Sequence, residues 1–474
     1  MTEIDTEAVV VGAGPNGLAA AIALAQAGHS VTVVEADDEI GGGTRSAELT
    51  LPGFTHDVCS AIHPLVLASP FFRTLPLAEH GLELVHPEFP LAQPLDGGDA
   101  VRLSRSVDET ADRLGEDARG YRRLMGPLVD HADALIPEIL GPLRIPRHPF
   151  ALAGFGLKGL RSVVRLAHAY VPGERGSALL GGMAAHSMLS LRKIPTGAVA
   201  LVLGMLAHAV GWPAPRGGSH AITDALAAYL RSIGGAIVTG RPVTSVAEFP
   251  RARAIVFDVT PRQLVELAGT ELPARYRKAL GRYRYGSGVF KIDWALDGPI
   301  PWAAKACEGA GTVHLGGTLP EMVAAEDEVI SGRHPERPYV LLAQQSTFDP
   351  TRAPEGKHTA WAYCHVPSGS TTDMTAAIEG QLERFAPGFR DRVLARSTMN
   401  AKALEGYNPN YVGGDINGGV QDIWQHFTRP VARLSPYTTP NHRIFICSSS
   451  TPPGGGVHGM CGYFAARAAL KRAF

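Results

Sequence analysis

The sequence predicts an α/β fold, and three observations carry that prediction. A strand, a glycine turn, a helix and a second strand open the chain. A further α/β block follows a long apolar stretch, and the chain closes on a strand, a glycine loop and a helix. At 474 residues the chain exceeds what one compact core holds, so two or three domains are expected.

"EAVVVGAG" reads as a strand, "NGLAAAIALAQAG" as a helix ending at Gly28, and "SVTVVEA" as the next strand, which together make a βαβ unit. The stretch from about Phe150 to Val210 is unusually apolar, but Lys158, Arg161, Arg165, Arg175, Arg192 and Lys193 interrupt it. No uninterrupted run reaches the roughly 18 to 20 residues needed to cross a bilayer. "LKGLRSVVRLAHAYV" and "TGAVALVLGMLAHAV" therefore read as amphipathic or buried helices of an apolar insert at about 120–210. That insert is either a helical core or the wall of a substrate tunnel or membrane-facing lid. "SHAITDALAAYLRSIGG" is a helix closed by glycines, followed by the strands "AIVTGRPVTSV" and "RARAIVFDV". Strand-like segments from about Tyr283 to Val366, such as "SGVFKIDWAL" and "HTAWAYCHV", suggest an antiparallel sheet.

Composition narrows the partners. Hydrophobic residues at 45% and charged residues at 19% fit a chain that buries a large core. A net charge of -1 gives no general attraction to nucleic acid or to an anionic membrane. The five cysteines are scattered, without a CxxC pair or a Cys/His cluster, so reduced thiols and no metal site are expected. The start "MTEIDTEAVVVGAG" is acidic and runs straight into a strand, which predicts no export and a cytoplasmic location.

"GAGPNG" places Gly12, Gly14 and Gly17 in G-x-G-x-x-G spacing, with Pro15 and Asn16 between, at a strand-to-helix turn. Such a turn brings backbone amides and a helix N-terminus to a pyrophosphate. Glu35, followed by Ala36, ends the second strand, where a carboxylate accepts hydrogen bonds from ribose hydroxyls. "GGGTR" adds a second turn with Gly42, Gly43, Thr44 and Arg45, whose guanidinium offers donors to phosphate or to nearby carbonyls. A nicotinamide cofactor has no need of this turn or of "PPGGGVHG" near the C-terminus, which favours FAD.

Together with "PRGGSHAITDALAAYLRSIGG", "AQQSTFDPTRAPEGKHTAWAYCHVP" and "YNPNYVGGDINGG", these motifs resemble the phytoene-dehydrogenase-like FAD oxidoreductases of the amine-oxidase type of flavoprotein fold. The resemblance spans almost the whole chain. It implies a Rossmann-like FAD-binding domain built from discontinuous segments, 1–75, 215–265 and 430–474. It also implies an α+β substrate domain, 76–214 and 266–429, with a mostly antiparallel sheet and the helical insert. On the same basis Gly12 to Gly17, Glu35 and the second glycine turn hold the ADP part, and Val243 lies at the adenine. Gly455, Gly456 and Val457 approach the flavin, and Ser448 to Ser450 replace the glycine–alanine–glycine run of relatives, with Ser450 counted among the cofactor contacts.

Catalytic candidates are Lys291, His458 and His63. Lys291 lies within a mostly apolar strand that by resemblance carries a lysine near flavin N5, its alternative being a pair with Asp293. His458 follows the glycine turn as acid, base or donor, or else as a helix cap, and His63 is a candidate substrate contact. Asp415 and Asn417 face the cavity or serve a turn. The expected reaction is dehydrogenation of a hydrophobic polyene, isoprenoid or lipid-like molecule by hydride transfer to flavin N5, with oxygen or a quinone as acceptor. Alternatives are an amine or amino-acid oxidase, a redox-neutral double-bond isomerase, and a non-catalytic flavin-holding interaction protein. Peripheral contact with the inner face of the membrane accompanies the lid reading.

Overall fold

The structure, a computed structural model, describes residues 4–474. Two sheets organise it. The first has five parallel strands in the order Ile444–Ile446, Ala254–Phe257, Ala8–Val11, Val31–Val34, Ala236–Val238. Its central strands are buried on both faces, as the unbroken runs "AVVV" and "AIVF" require of a sheet covered by helices. The strand order reverses at Ala8–Val11, with later strands added on both sides, so the turn after this strand stands at a topological switch point.

Helix Pro15–Gln26 covers one face of this sheet, with Asn16 to Leu24 buried. The C-terminal helix Met460–Arg472 lies against it, and only a glycine fits the contact: a Cβ on Gly462 would stand 1.8 Å from the Asn16 carbonyl oxygen. Small side chains thus let the first and last helices touch backbone to backbone.

The second sheet has seven strands in the order Val393–Met399, Gly288–Leu296, His358–Val366, Val340–Ala343, Ala310–Leu315, Phe89–Leu95, Asp99–Leu103. All its pairs are antiparallel except Ala310–Leu315 with Phe89–Leu95. Alternation sorts its side chains. Ile292, Trp294, Val313, Leu342 and Ala362 form a core with Ile378, Leu382 and Phe385 of helix Thr375–Phe385. The opposite face carries two cross-strand rows, Thr312–Ala343–Trp361–Asp293 and His314–Leu341–Tyr363–Lys291. Leu341, Ala343, Trp361 and Tyr363 there join the large core that also holds the first helix.

The apolar insert is helical. Helices Glu174–Ala185 and Thr196–Ala209 are buried through most of their length. Helix Pro149–Gly159 is the reverse, with Phe150 91% and Leu157 75% exposed. Among the described residues no helix is long and apolar enough to cross a membrane.

Candidate functional site

One cavity of about 860 Å3 runs from the switch point of the parallel sheet to the two cross-strand rows of the mixed sheet. At the first end its wall is largely backbone. Gly12 has φ +104, and a Cβ there would press on Asp258 at 3.1 Å; Gly42 has φ +52, and a Cβ would stand 3.2 Å from the Gly14 Cα. The two glycine turns therefore touch, and both line the cavity. Gly17 serves packing instead, because its Cβ would fall 2.0 Å from the Gly12 carbonyl oxygen, and it does not reach the wall.

The carboxylates here are held by amides. Glu35 Oε2 accepts from the Ala13 N–H at 2.6 Å, and Oε1 accepts from the Asp37 N–H at 3.1 Å. Asp258, at the end of strand Ala254–Phe257, accepts the Gly17 N–H on Oδ2 at 2.9 Å. Burial pushes the Asp258 carboxyl up to about 7, with the charge of Glu35 adding to the rise and the Gly17 amide opposing it. Arg45 spends its donors on the protein: Nε on the Ile40 carbonyl, Nη2 on the Glu39 carbonyl and Nη1 on Asp37. It shapes the second turn through carbonyls, while Thr44 Oγ1 donates to the Gly41 carbonyl.

The far end is made of side chains from the mixed sheet and the insert. Trp361 and Tyr363 meet edge to face at 5.3 Å, and Trp212 and His186 lie 6.2 Å apart. His186 and His314 share a hydrogen bond between their Nε2 atoms at 3.0 Å. Burial holds His186 down at about 3 and His314 well below its usual range, so both are neutral near pH 7.

Residues 10–73 match the NAD(P)-binding Rossmann-like domain family. Pyridine nucleotide-disulfide oxidoreductase domain-containing protein 2 of Rattus norvegicus is 27% identical, over 98% of this chain and 93% of its own length. A phytoene dehydrogenase of Streptomyces griseus is 29% identical, over 82% of this chain and 77% of its own. The chain is similar to phytoene desaturases and dehydrogenases over most of its length. An oxidoreductase from Methanosarcina mazei shares the fold at a TM-score of 0.67 and 18% identity, covering 98% of this chain and 99% of its own. Cyclohexylamine oxidase from Brevibacterium oxydans shares it at 0.58 and 17%, covering 99% of each chain.

In this chain, Gly12, Gly14, Pro15, Asn16, Glu35, Ala36, Gly42, Gly43, Thr44, Arg45, Val243, Ser450, Gly456 and Val457 line the same cavity. Gly455 does not; it packs on Asn417, whose carbonyl a Cβ would meet at 2.9 Å. His63 lines the wall, and its Nε2 lies 2.8 Å from Ser219 Oγ. That hydroxyl donates to the Ser60 carbonyl, so Nε2–H of His63 is the donor in the pair. Burial holds His63 down at about 4.

Lys291 and His458 are placed elsewhere. Lys291 is 2% exposed and paired with Asp293 two residues along its strand, away from the cavity wall. His458 also lies behind the wall, with Nδ1 accepting the N–H of Met460 at the start of the last helix. That is the helix-capping reading. Asp415 accepts three amides, from Gly286, Asn417 and Gly419, and so serves its turn, whereas Asn417 lines the cavity.

Asp258, His186, Trp361 and Tyr363 were not singled out from the sequence. Asp258 had a usable signal, a lone acid at the end of the apolar strand run "AIVF". The other three had none, because strand pairing and packing alone bring them together. "FDPTR" proves to be a clamp: buried Arg352 donates to Asp349, Asp57 and the Pro215 carbonyl, tying three distant segments.

Proposed function

We propose that the chain is an FAD-dependent dehydrogenase of a neutral, hydrophobic polyene, isoprenoid or lipid-like molecule. The observation that most supports this is the far end of the cavity. His186, Leu203, Trp212, Leu341, Trp361 and Tyr363 line it, and no Asp, Glu, Lys or Arg does among the described residues there. A wall that keeps its own imidazoles neutral also disfavours an ammonium group, which argues against an amine as substrate.

FAD fits the other end. The surface formed by Gly12, Gly14 and Gly42 is open only because these residues lack a Cβ, and Asn16 Oδ1 is buried there without a partner. Gly12, Gly14 and the second glycine turn would hold the diphosphate, Glu35 the ribose and Val243 the adenine. Ser450, Gly456 and Val457 would border the flavin half. The segments 1–75, 215–265 and 430–474 are then the FAD-binding domain. FAD, when bound, supplies the hydride acceptor. The chain contributes an apolar, water-excluding chamber that lays the substrate along the aromatic wall, and His63 fixes the cavity side of the Ser60–Ser219 junction.

Peripheral membrane contact belongs to the same proposal. Leu143, Ile145, Phe150 and Leu157 stand exposed among Arg144, Arg147 and Lys158, a surface suited to a lipid headgroup layer. Flotation with anionic liposomes at low salt is the check, and failure to co-float removes this part.

The deciding experiment is anaerobic. The purified protein should carry a flavin spectrum that bleaches with an apolar isoprenoid or polyene donor and recovers with oxygen or a quinone. Absence of flavin after reconstitution sinks the reading. Faster bleaching by amines favours the amine-oxidase alternative, and double-bond migration with pre-reduced flavin favours the isomerase.

A further inference from the structure

The far end of the cavity is apolar but not featureless. His186 is seated by two bonds: its Nε2 faces His314, and its carbonyl accepts from Asn417 Nδ2 at 3.4 Å. Its Nδ1 has no hydrogen-bond partner among the described residues and is not among the polar atoms sealed from solvent, so it is open to the cavity that His186 lines. Thr312 and Trp361 line the same cavity with their carbon atoms, while Thr312 Oγ1 and Trp361 Nε1 are sealed behind the wall, so His186 Nδ1 is the polar atom of this group that faces the space.

These groups are neighbours by register. Thr312, Ala343 and Trp361 stand in one cross-strand row, with the small Ala343 between the two polar side chains. Two strand spacings separate the ends of that row, about 9.6 Å. His314 follows Thr312 by two residues on the same face and carries His186 above it. Asn417 links this cluster to the C-terminal glycine turn, because Gly455 packs on its backbone. His186 Nδ1 therefore opens on a part of the cavity next to the glycine turn.

A pure hydrocarbon would exclude water from this nitrogen and give nothing in return, which is the costly case for a buried donor or acceptor. We propose that the substrate carries a neutral oxygen group, a hydroxyl or carbonyl, which His186 Nδ1 reads. The proposal rests on the neutral, hydrophobic substrate reading above and narrows it to oxygenated lipids. His314 is the positioning residue. One imidazole of the pair donates and the other accepts, so His186 presents either an N–H or a bare nitrogen, and a hydroxyl answers both. A carboxylate or an ammonium would enter an uncharged site without a counter-ion.

The test is calorimetric binding of octane, 1-octanol, 2-octanone and octylamine to the purified holoprotein, a readout independent of turnover. Octanol or octanone should bind at least about tenfold tighter than octane. His186→Phe should erase that preference, and His186→Asn, which keeps a neutral polar group at this position, should keep part of it, a second variant that guards against misfolding of the first. Equal binding of octane and the oxygenated pair overturns the proposal. So does a preference that survives His186→Phe. Octylamine binding tighter than either oxygenated ligand overturns instead the neutral-substrate reading beneath it.

Discussion

Where the cavity meets the parallel sheet its wall is glycine, amide and carboxylate; where it meets the mixed sheet its wall is indole, phenol and neutral imidazole. The first end depends on atoms that are missing, since a Cβ at Gly12, Gly14 or Gly42 would fill or strain it. The second depends on large side chains held in register across several strands. The difference teaches that one end is fixed by the local path of the chain and tolerates almost no change, while the other is a surface that substitution can retune.

Five outcomes would sharpen or break this contrast. The largest is Gly17→Ala, because its Cβ cannot coexist with the Gly12 carbonyl at 2.0 Å. We expect little folded protein and no bound flavin, read by thermal melting and absorbance; a folded, yellow variant would break the idea that missing atoms define this end. Arg352→Met leaves Asp57 and Asp349 buried without their partner, at a cost of about 3–5 kcal/mol in urea denaturation. Neither end of the cavity is touched, so flavin content per folded molecule should hold.

The third outcome concerns acid. Burial depresses His63 to about 4 and His186 to about 3, while unfolded histidines titrate near 6.5. A depressed histidine contributes its full stability above about 6.5 and loses it as the pH falls toward its folded value. Melting temperature should therefore drop from pH 6.5 to pH 4, and His186→Phe should flatten part of that slope. At the other end the sign reverses. Asp258, raised to about 7, is neutral below that pH and repels a diphosphate above it. Asp258→Asn should tighten ADP binding several-fold at pH 8 and leave it unchanged at pH 5, measured by calorimetry. The smallest effect is a control: Gly380 is exposed in helix Thr375–Phe385 with nothing within 4 Å of its would-be Cβ. Gly380→Ala should stabilise by about 0.5–1 kcal/mol, in contrast to Gly17.

The same contrast explains what could be read from the sequence. The glycine turns and Glu35 lie within the span from Gly12 to Arg45, so spacing alone exposes them, and the α/β opening and an antiparallel second sheet follow from strand and helix periods, whereas its one parallel pair does not. Lys291 and Asp293 lie two apart on a strand, which puts them on one face, and their pairing is what that period implies. His186 and His314 stand 128 positions apart, and nothing local to either marks the other. Trp361 and Thr312 likewise meet the cavity only after strands Val340–Ala343 and His358–Val366 have paired. Asp258 was within reach of the sequence, but strand periodicity draws the eye to the apolar run before it.

The contact between the first and last helices has a consequence for synthesis. Strand Ile444–Ile446 borders the parallel sheet and helix Met460–Arg472 covers the helix that follows the glycine turn. The opening βαβ unit leaves the ribosome with the apolar face of that helix uncovered, and its cover is made several hundred residues later. The nascent chain must therefore keep this surface shielded across that interval, and a product ending before Gly462 would keep it exposed for good.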